Sequence, residues 1–206
     1  MNLIVISSTS LLRNEFEVLD LLFKQGLSIF HLRKKNLNRI DIIKFIEKID
    51  SNYYNRIVLH SHFDLIDIFG LRGGHGKYIP NLMDAKKNKL NIHKTISCSA
   101  HSFDECREYL DIFDYMFISP IFDSISKNGY KSNFSNKELQ DAYKSGILNS
   151  KVYALGGVSR NNINILKEIG FKGCAILGAL WSEFEIDANI DNLINRFIEM
   201  RSICLE

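Results

Sequence analysis

The chain has 206 residues, 46% of them hydrophobic, and its 26 basic and 24 acidic side chains leave a formal net charge of +2. A chain of this length and apolar content can bury one sizeable core, which favours a single domain. The near-neutral balance gives no electrostatic ground for a nucleic-acid or membrane-surface partner beyond local clusters such as Lys86-Lys87. Cys98, Cys106, Cys174 and Cys204 lack C-x-x-C spacing and fall in apolar or helical segments, the pattern of structural thiols in a reducing compartment rather than of a zinc site. Met1-Asn-Leu-Ile-Val-Ile enters a strand directly, without a basic leader, and no apolar run reaches membrane-spanning length. A cytoplasmic protein is expected.

In chain order, strand-like and helix-like segments alternate, the signature of βα units on a parallel sheet. Leu3 to Ile6 reads as the first strand, Ser7 to Ser10 as a polar turn, and Leu11 to Gln25 as a helix closed by Gly26. Ser28 to Leu32 is the second strand. The charged Arg33-Lys34-Lys35 follows, then a helix from about Arg39 to Ile49 with Ile42, Phe45, Ile46 and Ile49 on one face. Arg56 to Leu59 predicts the third strand, Phe63 to Phe69 a short helix and Gly73 to Gly76 a Gly-rich fourth strand, whereas Asn81 to Asn91 has too little periodicity for more than a loop or poor helical turn.

Thr95 to Cys98 is the fifth strand, and Ser102-Phe-Asp-Glu105 has the capping-box pattern that opens a helix. Tyr115 to Ile118 is the sixth strand. The stretch from Ser119 to Ser135 is too long and polar for an ordinary connection and is a candidate functional loop. Asn136 is expected to cap the next helix. Val152 to Leu155 is the seventh strand, Ser159 caps a helix through Ile169, Cys174 to Leu177 is the eighth strand, Ala179 starts a helix, and Ile190 to Ile203 is an amphipathic closing helix.

Eight units, with Gly156-Gly157 ending the seventh strand and Gly178 the eighth, favour a single-domain (β/α)8 TIM barrel over a doubly wound open sheet. Glycine lets a ligand approach the backbone, and N–H groups at a helix start lack intrahelical partners, so the two turns form a candidate phosphate cradle. Barrel chemistry gathers at strand carboxyl ends. Of six histidines, His31, His60, His75 and His101 end strands two to five, and only His62 and His93 do not. Arg33 and Lys35, on alternate residues of an extended segment, point two cations the same way. Gly73-Gly-His-Gly76 lacks the dinucleotide-binding spacing.

Taken together these residues resemble the family of thiamine-phosphate synthase and its relative TenI, the thiazole tautomerase, over essentially the whole chain. His31-Leu-Arg-Lys-Lys35 resembles the family's motif after strand two, Ser99-Ala-His101 its Ser-x-His after strand five, and Ser119-Pro120 with Lys127 its loop after strand six. Leu155-Gly-Gly157 and Leu177-Gly178 resemble its two phosphate-binding turns, with Gly178 where Ser is usual. A synthase of this kind implies Mg²⁺ held by two aspartates, and those positions align with Ser61 and Pro80. No metal is therefore expected for the tautomerase reading, and Mg²⁺ only if the synthase reading holds, with Asp64 or Asp123 as substitutes.

The missing carboxylates and His31 tilt the resemblance toward the tautomerase, a proton-transfer isomerase acting on a thiazole phosphate. It implies His101, His31 and Lys127 as catalytic residues, with His101 as base or acid and His31 as its partner. Arg33, Lys35, Ser99, Gly156, Gly157, Leu177 and Gly178 would bind substrate or phosphate, and His60 and His75 would line the site. The alternatives are the synthase, coupling a hydroxymethylpyrimidine diphosphate to the thiazole phosphate, and a non-catalytic phosphate-ligand binder. The partner expected is a small phosphate-bearing molecule, and a homodimer is compatible with this reading.

Overall fold

The structure, a computed structural model, describes residues 1–79, 83–84, 94–123 and 132–206. Eight parallel strands close into a barrel in chain order: β1 (Asn2–Ile6), β2 (Phe30–Leu32), β3 (Ile57–Leu59), β4 (Gly73–His75), β5 (Thr95–Ala100), β6 (Tyr115–Ile118), β7 (Val152–Ala154) and β8 (Gly173–Ile176). Closure is made by β1 against β8, which align Asn2 with Gly173 and Val5 with Ile176. The described helices are α1 (Glu15–Lys24), α2 (Arg39–Glu47), α3 (Leu65–Ile68), α4 (Phe103–Tyr109), α5 (Asn136–Lys144), α6 (Ile163–Ile169), α7 (Gly178–Asp187) and α8 (Ile190–Leu205), with a 3₁₀ turn at Ser51–Arg56. None of them is long and apolar enough to cross a membrane.

The strands read as continuous apolar runs because both of their faces are covered. Alternate residues diverge. Ile4, Ile6, Ile29, Val58, Tyr115, Phe117, Tyr153 and Ala175 fill the barrel interior, while Val5, Phe30, Leu59, Ile96, Met116 and Ile118 pack outward against helix residues such as Leu19, Phe45, Leu166 and Trp181. The same alternation carries His31, His60 and His75 to the inner face.

Several helix starts differ from the sequence expectation. The first helix begins at Glu15, after Asn14 in the left-handed region at φ 57°. Ser135, not Asn136, caps α5: its hydroxyl accepts from the Glu138 N–H while the Glu138 carboxylate accepts from the Ser135 N–H, the reciprocal pair a capping box provides. Helix α6 starts beyond Ser159, whose N–H instead donates to Asn162 Oδ1 at 2.8 Å. Ser102 accepts from Glu105 N–H as expected, but the Glu105 carboxylate turns to the His101 N–H at 2.7 Å. Apart from Met83 and Asp84, the loop expected over 81–91 lies outside the described residues.

A further finding concerns Lys34. Given no role of its own in the charged Arg33-Lys34-Lys35 stretch, it points outward from the end of β2 beneath α1, and its ammonium donates to Glu15 Oε1 and Oε2 at 2.5 and 2.8 Å and to the Ser10 carbonyl at 2.5 Å. Neither side chain of the pair reaches water. The alternation that turns His31 and Arg33 inward turns Leu32 and Lys34 outward, and outward here means into the layer between strand and helix.

Candidate active site

The inner face at the strand carboxyl ends is built around three imidazoles. His31 on β2 is fully buried, His75 on β4 is buried, and His60, the residue after β3, is partly exposed. Strand register explains how they meet. His31 aligns with Val58, one inward position below His60, while Leu59 aligns with Gly74 and so sets His60 beside His75. The His60 and His75 rings stack with centroids 4.4 Å apart, and His31 meets both edge-on at 5.2 Å.

Each ring is also tied by hydrogen bonds. His31 Nδ1 faces His60 Nε2 at 3.0 Å, and His31 Nε2 faces the Tyr115 hydroxyl at 2.7 Å. His75 Nδ1 faces Ser97 Oγ at 2.9 Å and its Nε2 faces Ser99 Oγ at 3.0 Å. Burial is the main force on protonation. It lowers His31 well below the ordinary imidazole value, with further repulsion from His75, His60 and Arg72. Burial first, then His75 and Arg33, lowers His60 in the same way. His75 falls to about 3, again through burial and then Arg33. The cluster is therefore neutral at ordinary pH. Arg33, half-buried beyond β2, supplies the positive charge that His60 and His75 sense, and its backbone N–H donates to Ser7 Oγ at 2.9 Å.

His101 stands apart from the cluster. Its ring is exposed after β5, with Nδ1 3.0 Å from the Ser119 carbonyl. A carbonyl can only accept, so Nδ1 is the donor in this contact and Nε2 is the nitrogen directed elsewhere. Among the described residues His31 hydrogen-bonds with His60 and Tyr115 rather than with His101. Lys35 is exposed. Lys127 and Pro80 lie outside the described residues.

The two glycine turns are placed as expected, and the structure adds a second reason for their composition. Gly156 and Gly157 have φ of +93° and +66°. A Cβ on Gly157 would come within 2.3 Å of the Asp123 carbonyl, and one on Gly156 within 2.7 Å of Pro120 Cα. The segment after β6 thus lies directly on this turn, with Ile121 N–H donating to the Leu155 carbonyl and Phe122 N–H to that of Gly156. Leu177 precedes and Gly178 begins α7, where the Leu180 N–H donates to the Leu177 carbonyl while those of Gly178 and Ala179 have no acceptor within the helix. These donors at the ends of β7 and β8 can take a phosphate.

The comparisons with known proteins follow this geometry. The family model described as thiamine monophosphate synthase matches residues 2–180. The chain belongs to that family. A thiamine-phosphate synthase from Fusobacterium nucleatum is 26% identical over 181 residues, covering 84% of this chain and 85% of the relative. One from Lysinibacillus sphaericus is 25% identical over 181 residues, covering 84% of each. A crystal structure of a thiamine phosphate pyrophosphorylase from Bacteroides thetaiotaomicron superposes with a TM-score of 0.85 at 32% identity, covering 98% of this chain and 97% of that one.

A thiamine-phosphate synthase reading raises the question of which residues could hold Mg²⁺. Mg²⁺ takes oxygen ligands, commonly one or two carboxylates with substrate phosphates. Ser61 offers none. Asp64 is engaged by Arg39 at 2.7 Å on the surface, and Asp123 accepts from the Ser132 N–H at 2.8 Å. Both candidate carboxylates are thus already engaged, and among the described residues the one grouping of three metal-ligating side chains is the imidazole cluster, a nitrogen set unlike the oxygen set Mg²⁺ prefers.

Sequence reasoning did not foresee Tyr115 and Ser97 as polar partners inside the barrel. Their signal was available in the period-two pattern Ser97-x-Ser99-x-His101 and Tyr115-x-Phe117-x-Ser119, which puts each on the inner face.

Proposed function

We propose that this chain is a transferase that joins a pyrimidine diphosphate to a thiazole phosphate, releasing pyrophosphate. The observation that carries this reading is its whole-length likeness to the Bacteroides thetaiotaomicron thiamine phosphate pyrophosphorylase, at 32% identity. The site geometry supports it by what it weakens. A proton-transfer isomerase needs an acid and a base titrating near neutrality. His31, the partner it would require for His101, is sealed from water, held neutral and directed to other residues.

In the proposed reaction the thiazole ring nitrogen forms a bond to the methylene carbon of the pyrimidine as the carbon–oxygen bond to diphosphate breaks, the electron pair leaving on oxygen. Neither event requires an imidazole to exchange a proton. The Gly156-Gly157 turn and the start of α7 hold the thiazole's phosphate through backbone N–H groups, which fixes the nucleophile's position. Arg33 offers the departing diphosphate a bidentate cation, partly withdrawn from water, where charge stabilisation is stronger than in bulk.

A second reading, the thiazole tautomerase, draws on Ser61 and on the exposed His101 ring. Genetic complementation separates the two. Expression in a bacterium lacking thiamine-phosphate synthase should restore growth without thiamine, and Arg33→Ala should abolish the rescue. No rescue by folded, well-expressed protein would count against the transferase.

A further inference from the structure

The three imidazoles at the barrel mouth have the makings of a site for a different kind of ion. One ring nitrogen from each of His31, His60 and His75 lies within 4.8 Å of the other two, and the His31 and His60 nitrogens are already 3.0 Å apart. His31 and His75 sit on β2 and β4 and His60 directly follows β3, so three adjacent strands of the sheet hold them together. We infer that His31, His60 and His75 bind one divalent transition-metal ion of the zinc, cobalt and nickel class, with a remaining coordination position open toward the barrel mouth on the His60 side.

Zinc–nitrogen bonds of about 2.0–2.1 Å in a tetrahedral set place ligand nitrogens about 3.3 Å apart. The His31–His60 pair would open by a few tenths of an ångström, and the widest pair would close by up to about 1.5 Å, which small rotations of the rings about their side-chain torsions supply. The outer contacts are those a ligating histidine needs. With His31 Nδ1 on the ion, its Nε2–H donates to Tyr115, and whichever His75 nitrogen binds, the other has Ser97 or Ser99 as acceptor. Such partners fix the tautomer and orient the ring. Imidazole suits zinc, cobalt and nickel, whereas Mg²⁺ prefers oxygen, and an oxygen donor is what Ser61 fails to supply as a carboxylate. The inference concerns occupancy by an ion and stands independently of the reaction proposed above.

The test uses full-length, untagged protein freed of metal with a chelator and dialysed, then titrated with Co²⁺ while the visible absorption of the bound ion is followed, and with Zn²⁺ in competition. One equivalent of Co²⁺ should bind, Zn²⁺ should displace it, and a large excess of Mg²⁺ should not. His60→Ala and His75→Ala should each weaken binding by about 100-fold or more, Tyr115→Phe by about 10-fold, and His62→Gln should leave it unchanged. X-ray absorption of the Zn²⁺-loaded wild type, which needs no variant to fold, should show nitrogen neighbours at about 2.0–2.1 Å with more than one imidazole. Absence of stoichiometric Co²⁺ or Zn²⁺ binding would overturn the inference, as would affinity unchanged in both histidine variants, displacement by Mg²⁺, or an oxygen-only shell. Because no substrate is present, a failed transferase assay and a failed metal titration are distinguishable results.

Discussion

Nδ1 of His31 and Nε2 of His60 lie 3.0 Å apart inside the barrel, so the two rings share one proton between them and cannot both be cationic. With His75 stacked on His60, acid must charge a cluster that burial holds neutral. Unfolded, these imidazoles titrate near 6.5; folded, His75 does so at about 3. Between those values the unfolded chain binds more protons than the folded one, so stability rises with pH and is lost as pH falls from about 6.5 toward 3. In metal-free protein each such imidazole can steepen the dependence by up to about 1.4 kcal/mol per pH unit. Denaturant unfolding from neutral to mildly acid pH should show a shallower slope for His75→Asn than for wild type, and equal slopes would contradict the assignment.

Removing one partner of the buried Lys34–Glu15 pair should be far more damaging than removing both. Glu15→Ala leaves an ammonium without its carboxylate, a loss of about 3–5 kcal/mol, whereas Glu15→Leu with Lys34→Met should fall near neutral. Urea midpoints with unchanged slope would measure this, and an equal loss in single and double variants would refute it.

Gly157→Ala should injure both stability and substrate binding. The left-handed backbone alone costs about 1–2 kcal/mol, and the added Cβ would press on the Asp123 carbonyl at 2.3 Å, displacing the segment that covers the turn. A raised KM for thiazole phosphate beside a lowered Tm is expected. Wild-type values for both would remove this turn from the phosphate site.

Arg33→Gln should keep the fold, since the residue's backbone rather than its guanidinium bonds Ser7. Its kcat should drop by about 10²–10³, the scale for one electrostatic donor in a shielded site. Unchanged turnover would exclude Arg33 from charge stabilisation.

The barrel and its two glycine turns were legible because they rest on local signals: apolar strands, helical periodicity, and glycine at strand ends. The four strand-end histidines were legible for the same reason. Their grouping was not. Which inward residues meet depends on stagger between strands, and His31 aligning with Val58 rather than His60 is a property of closure that strand-end positions do not encode. That stagger brings His31 to His60 and His75, and leaves His101 with the Ser119 carbonyl. Lys34 was hidden by its neighbours. Between Arg33 and Lys35 it reads as one more cation of a charged turn, and its burial follows from an outward register beneath α1. Ser135 caps α5 one position before the expected Asn136, and α6 starts after Asn162, three positions beyond the expected Ser159 and without a side-chain cap, because several cap-competent side chains adjoin each start and only the backbone turn selects among them.

The most direct measurement of the central claim is a single turnover by wild-type protein given both the pyrimidine diphosphate and the thiazole phosphate, with pyrophosphate and joined product quantified from the same samples. The transferase assignment requires the two products to appear together in equal amounts, each dependent on both substrates. Conversion of a thiazole carboxylate tautomer in parallel samples, with no pyrophosphate released from the paired substrates, would contradict it.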